Sequence, residues 1–279
     1  MKRQNVVLVA LFALLLICPA GSQALDKNLK INSAGCKTEY YLIKELSDAY
    51  KNKTGVSIQA GQTGNKKAMD LMLNNEIDFA FTCKPINKLA KKLNLDKNKT
   101  AEWKSIPIAR DPIVLVSNPK NGIRNLTTSQ IADIFEGKVK NWQELGGNDL
   151  PILLVYLNPA LESGTTTVFK ELTGGMNMQF DKKAKTLDGP SNLGFYVASN
   201  PGAITFMPFN AYKGNYGNVL RINGTEPKEE TILNDEYKLN VTYYITTTGN
   251  DKDVSDFVDY ALSAEGKKII SYNFYPYTK

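Results

Sequence analysis

Apolar and polar positions along the chain switch repeatedly between a two-residue and a helical period. Leu29-Lys30-Ile31 alternates as a short strand, and residues 32–35 break the pattern. Leu42, Leu46, Ala49 and Tyr50 recur at helical spacing until Gly55 ends the run. Val56, Ile58 and Ala60 alternate as a strand, residues 61–64 turn, and Ala68, Leu71 and Met72 mark a second helix. Residues 77–81 form a short apolar strand. This order of strand, helix, strand, helix, strand predicts an α/β fold with a mostly parallel sheet.

The rhythm continues. Residues 106–108 and 113–116 read as two strand pieces around Asp111-Pro112. Thr127 and Gln130 have the spacing of a capping box, with Leu126 and Ile131 as its hydrophobic staple and Ile134 and Phe135 on the following apolar face. Residues 151–156 form another apolar strand. Ser163-Gly164-Thr165 opens a helix carrying Val168, Phe169 and Leu172, which stops at Gly174-Gly175. Residues 203–207 and 241–246 are further strands. Residues 254–270 form a closing amphipathic helix with Phe257, Val258, Ala261 and Ile269 inward.

The N-terminus has a different character. Lys2 and Arg3 precede an apolar run over residues 6–17, which is short for a membrane span and suited to an export signal. Ser22-Gln23-Ala24 places small residues where a signal peptidase reads, so cleavage is expected after Ala24 and the mature chain in the periplasm. Cys18 offers lipid anchoring as the less favoured alternative, because Ile17 stands where lipoprotein signals carry a small residue. Loss of Lys2 and Arg3 lowers the formal charge from +6 to +4, a mild basic balance. The lysines of residues 84–99 lack interleaved aromatics, which predicts a solvated helix and no nucleic-acid partner. Cys36 and Cys83 remain as an even pair. In an exported chain they suggest a disulfide worth about 4 kcal/mol, with two buried thiols as the alternative.

Four loops share one design: residues 33–38, 62–66, 82–84 and 162–166 each follow a strand, are small and polar, and precede a helix. A helix N-terminus presents unpaired N–H groups and the positive end of the helix dipole. Several such ends at one sheet edge make an oxyanion cradle without large net charge. The candidate ligand-binding residues are Gly35, Lys37, Thr38, Thr63, Gly64, Thr82, Glu162, Ser163, Gly164 and Thr165.

Longer stretches carry a family resemblance. Residues 108–119, Ile-Ala-Arg-Asp-Pro-Ile-Val-Leu-Val-Ser-Asn-Pro, are similar to the inter-lobe strand of PstS-like phosphate-binding proteins of ABC transporters. Residues 126–147 resemble that family's Leu-Thr, Ile-Phe-x-Gly, Asn-Trp and Gly-Gly stretch. Ser163-Gly164-Thr165 with Phe169, Pro201-Gly202-Ala203-Ile204, Asn223-Gly224 with Pro227, and residues 257–266 match further segments. The resemblance implies a two-lobed periplasmic-binding-protein fold with a ligand cleft between lobes. It implies lobe one over residues 25–110 and 210–279, lobe two over 111–209, and hinge closure. It also sets the loops bearing Cys36 and Cys83 side by side at the cleft rim.

The chain departs from the family pattern before Ser163, where residues 156–162 lack the Arg suited to bidentate phosphate contact and keep Glu162. Lys37, Lys66 or Lys84 can supply charge instead. With no His in the chain, no Ser-His or Cys-His couple can form, and a two-thiolate metal site lacks ligands for a full shell. No Gly-x-Ser-x-Gly elbow or phosphate-loop lysine motif is present. The expectation is a monomeric binding protein without enzymatic activity, cofactor or metal. It would capture a small oxyanion, phosphate foremost, and deliver it to an ABC-transporter permease. The alternative is a sensing or scaffold module with the same fold and an altered ligand site.

Overall fold

The computed structural model describes residues 30–35, 39–161, 164–175, 177–212 and 214–278. The export segment, its expected cleavage point at Ala24 and Cys18 lie outside the described residues. Among those that are described, no helix is long and apolar enough to cross a membrane.

The chain begins β1 (Lys30–Gly35), α1 (Tyr40–Thr54), β2 (Ser57–Gln62), α2 (Asn65–Leu73), β3 (Phe79–Thr82), α3 (Ile86–Leu93), α4 (Lys97–Thr100). A long strand, β4 (Lys104–Ser117), leads to β5 (Asn125–Leu126), α5 (Thr128–Phe135), β6 (Leu153–Leu157) and α6 (Gly164–Thr173). Then come β7 (Lys185–Leu187), α7 (Pro190–Ser199), β8 (Ala203–Pro208), β9 (Asn218–Val219) and β10 (Arg221–Ile222). The chain closes with α8 (Glu229–Leu233), β11 (Asn240–Thr247), α9 (Lys252–Leu262), α10 (Ala264–Ile270) and β12 (Tyr275–Pro276).

One curled mixed sheet runs in the order β2-β1-β3-β11-β4-β8-β6-β7. Its two arms are parallel, β1 with β2 and β3 on one side and β6 with β7 and β8 on the other. Its centre is antiparallel, because β11 runs against both β3 and β4, and β4 against β8. Helices cover the arms to give a two-lobed α/β fold. Most of the apolar positions that the sequence spacing marks are buried: Leu42, Leu46 and Tyr50 of α1 pack with Phe79 and Phe257, and Phe135, Phe169 and Phe206 cluster in the other lobe, whereas Leu172 is exposed and Ile270, not Ile269, is the buried isoleucine of α10.

Three local expectations change. Strand β1 does not stop at Asn32 but continues to Gly35, where parallel pairing to β2 and β3 overrides the polar sequence. The closing helix divides at Ser263, whose extended backbone ends α9 and whose hydroxyl accepts the Gly266 N–H at 3.2 Å to cap α10. The two strand pieces around Asp111-Pro112 are one strand of 14 residues. Proline removes a ladder donor and is tolerated at irregularities. Pro107 lies at the bulge opposite Tyr243 and Tyr244, and Pro112 where β4 exchanges β11 for β8 as its partner.

That exchange point is held by buried polar contacts. Arg110 donates to the carbonyls of Ile232 and Leu233 and stacks on Tyr277, while Tyr237 donates to the Ile113 carbonyl at 2.8 Å. Between them Asp111, 4 % exposed, accepts the Tyr243 hydroxyl at 2.7 Å on Oδ2, and its Oδ1 has no partner. Burial pushes the Asp111 carboxyl from 3.8 up to about 7, with the Tyr243 hydrogen bond opposing the rise. A folded-state pKa above the unfolded value favours the protonated folded protein. The stabilisation is complete below the unfolded value and is lost as pH rises through about 7. Urea denaturation between pH 4 and 8 should therefore show the wild type losing on the order of a few kcal/mol relative to Asp111→Asn. Parallel pH profiles for the two proteins would contradict this account of Asp111.

Candidate functional site

Three of the small polar loops meet at the C-terminal edge of the β2-β1-β3 arm. The Gly35 carbonyl accepts two N–H groups from the second loop, Thr63 at 3.0 Å and Gly64 at 2.8 Å. These two donors are therefore committed to the Gly35 carbonyl, and the N–H groups of the first turn of α2 are the ones without an intrahelical acceptor. Gly64 has φ +78°, a backbone that glycine adopts without a Cβ penalty. Asn65, at the start of α2, donates through Nδ2 to Cys83 Sγ at 3.2 Å and so links the second loop to the third.

The third loop is fixed from below by a chain of hydroxyls. The Ile86 N–H donates to Ser105 Oγ at 2.8 Å, Ser105 Oγ lies 2.7 Å from Thr246 Oγ1, and Thr246 Oγ1 lies 3.2 Å from Thr82 Oγ1. Thr82 Oγ1 donates to the Lys84 carbonyl at 2.9 Å. Each hydroxyl has one proton, so the terminal bonds set the direction: Ile86 to Ser105, to Thr246, to Thr82, to Lys84. The chain ties both ends of residues 82–86 to β4 and β11.

From the other lobe, β6 leads into α6. Gly164 and Thr165 form its first turn, where N–H groups lack intrahelical acceptors, and Thr165 is 4 % exposed. Two turns on, Glu171 forms an ion pair with Lys84, joining the third loop of one lobe to the helix of the other. The two side chains are only 13 % and 23 % exposed, so this pair is screened less than a surface one. No group of three His, Cys, Asp or Glu side chains disposed to hold a metal ion occurs among the described residues.

The model of the PBP superfamily domain matches residues 20–265. The chain belongs to this family. It is 27 % identical over 262 residues to the phosphate-binding protein PstS of Staphylococcus epidermidis, across 88 % of this chain and 79 % of that one. Among solved structures, it is similar to an ABC-type phosphate transport receptor from Vibrio cholerae, with TM-score 0.77 and 20 % identity over 88 % of this chain and 99 % of that one. A substrate-binding protein from Clostridium perfringens solved with bound phosphate has TM-score 0.69 and 26 % identity, over 89 % and 100 % of the two chains.

In this PBP-superfamily chain the sequence-selected residues fare differently. Gly35, Thr63 and Gly64 lie together at one edge, and Gly164 and Thr165 lie at the helix start of the opposite lobe. Thr82 is there too, but it is fully buried and its hydroxyl is committed to Thr246 and Lys84. Lys37, Thr38, Glu162 and Ser163 lie outside the described residues, as does Cys36 and with it the expected bridge to Cys83. Within residues 156–162, the stretch expected from the resemblance to carry an Arg, Asn158 Oδ1 accepts the Ala160 N–H at 3.0 Å at a short turn over Pro159–Leu161. The sequence reading missed Glu39, 1 % exposed beside the first loop, as well as Asn65, Ser105, Thr246 and Glu171. Only Glu39 and Asn65 carried a local signal, as polar residues at helix starts.

Gly35 has no room for a side chain, since an added Cβ would stand 1.9 Å from the Phe81 carbonyl oxygen. Gly35→Ala is expected to push the end of β1 off β3 and cost about 1–3 kcal/mol of stability. Hydrogen exchange should read faster opening at the Thr63 and Gly64 amides. Unchanged protection there would mean that Gly35 does not anchor the second loop.

Proposed function

We propose that the protein is an extracytoplasmic binding protein that captures phosphate in the cleft between its lobes and delivers it to an ABC-transporter permease. The observation that carries this reading is the set of stitched strand-end loops of one arm held against α6 of the other by the Lys84–Glu171 ion pair. Such an arrangement presents several N–H groups without intrahelical acceptors to one small anion. The relatives named as phosphate-binding proteins, and the Clostridium perfringens protein with bound phosphate, support the choice of oxyanion. The proposal takes residues 25–110 with 210–279 and residues 111–209 as the two lobes, hinged where β4 changes partner. It assigns Ser163, Gly164 and Thr165 as donors and Glu162 as acceptor for a protonated phosphate oxygen. That acceptor discriminates against sulfate, which has no proton to offer at neutral pH. The protein acts by binding and has no catalytic role in this reading.

A second reading, a sensing or scaffold module on the same fold, is favoured by one observation: the Asn158 turn in the stretch expected from the resemblance to carry an Arg.

Calorimetric titration of the mature protein, stripped of ligand by unfolding and refolding, separates the two. Phosphate should bind at micromolar concentration or tighter and sulfate should not. The double variant Ser163→Ala/Thr165→Ala should weaken phosphate by at least about tenfold. Absence of heat with phosphate, arsenate, sulfate and molybdate, in a protein shown to be folded, would rule out the oxyanion reading and favour the second.

A further inference from the structure

A cavity of about 670 Å³ opens beside the third loop, with Cys83 and Lys84 of that loop and Glu171 of α6 at its edge. Its volume lies within the roughly 300–1,000 Å³ of cavities that bury small organic ligands, and exceeds what a lone tetrahedral anion fills. The space is not merely the gape of separated lobes, because the Lys84–Glu171 ion pair already spans them.

The walls are of two kinds. Carbon surface comes from both lobes: Pro85 and Val241 on one side, Val168 and Leu172 of α6 on the other. Leu172 is 43 % exposed, an apolar side chain left open to the cavity. The second wall is cationic. Lys88, Lys91 and Lys92 of α3 all line the cavity, Lys88 and Lys92 one turn apart. Unlike Lys84, none of the three has a carboxylate partner among the described residues.

A bare phosphate leaves both walls unused. Apolar surface favours a carbon-bearing ligand, and the unpaired ammonium groups of α3 favour a second negative charge. We propose that the cleft accommodates an organic phosphate or phosphonate, its carbon portion against Val168, Leu172 and Val241 and a second acidic group at Lys88 and Lys92. The inference rests on the reading of the adjoining loops as an oxyanion site and names the ligand class for that site.

The test is calorimetric titration of the mature protein with inorganic phosphate, ethylphosphonate and 3-phosphonopropionate, each alone and in competition. The expected result is 3-phosphonopropionate binding about tenfold more tightly than ethylphosphonate and displaced by phosphate. Lys88→Gln/Lys92→Gln should remove that tenfold advantage and leave inorganic phosphate unchanged. Leu172→Asp, at an exposed helix position, should weaken both phosphonates but not phosphate. Phosphate binding with neither phosphonate bound would overturn this inference and leave the proposed function standing. So would 3-phosphonopropionate bound without competition from phosphate, or equal losses for all three ligands in the lysine variant. Failure of all three to bind a folded protein would remove the oxyanion reading itself, and this inference with it.

Discussion

The continuity of β4 is the constraint on which the rest of the molecule depends. One strand of 14 residues supplies ladder partners to both halves of the sheet, β11 up to Pro112 and β8 from Ile113. The lobes are therefore not two bodies on a flexible string. Any relative motion must bend this strand or rotate it about the few residues where its partner changes. Those residues are the ones gripped most firmly, by Arg110 on the α8 carbonyls, Asp111 on Tyr243 and Tyr237 on Ile113.

The candidate site follows from that arrangement. Its first loops are organised through main-chain groups, with the Gly35 carbonyl collecting two donors, more than through charged side chains. Fixed dipoles of this kind need no reorganisation when an anion arrives. The ionic contact present, Lys84 with Glu171, joins lobe to lobe. The mild net charge of the chain fits a cleft built from oriented amides.

Much of the fold was legible because its signals are local. The Thr127–Gln130 capping box forms in both directions, at 3.2 and 2.8 Å, and Gly55 ends α1 with φ +83°. The parallel arms were also legible, from the strand-helix alternation. What escaped depends on partners distant in sequence. Nothing around Asp111-Pro112 announces a continuous strand, because continuity comes from β11 and β8, which lie about a hundred residues further along. The break at Ser263 was hidden because apolar residues at helical spacing lie on both sides of it, from Val254 to Ala261 and again at Ile269 and Ile270. The site divides in the same way. Small residues at strand ends marked Gly35, Thr63, Gly64 and Thr165, but a threonine's sequence does not say whether its hydroxyl faces a ligand or, as in Thr82, the sheet beneath. Glu171 and Ser105 act only through residues that the fold brings to them.

The hydroxyl chain under the third loop couples positions that no local pattern links. Because its protons all point one way, deleting one middle member leaves two buried groups unmatched, a donor on one side and an acceptor on the other. Replacing Thr246 alone by an isosteric Val is thus costlier than one lost hydrogen bond, and a concerted change of Ser105, Thr246 and Thr82 to apolar residues only moves the mismatch to the ends, the Ile86 N–H and the Lys84 carbonyl. These three positions, far apart in sequence and on three different strands, form one hydrogen-bonded unit, so the third loop takes its shape from β3, β4 and β11 together.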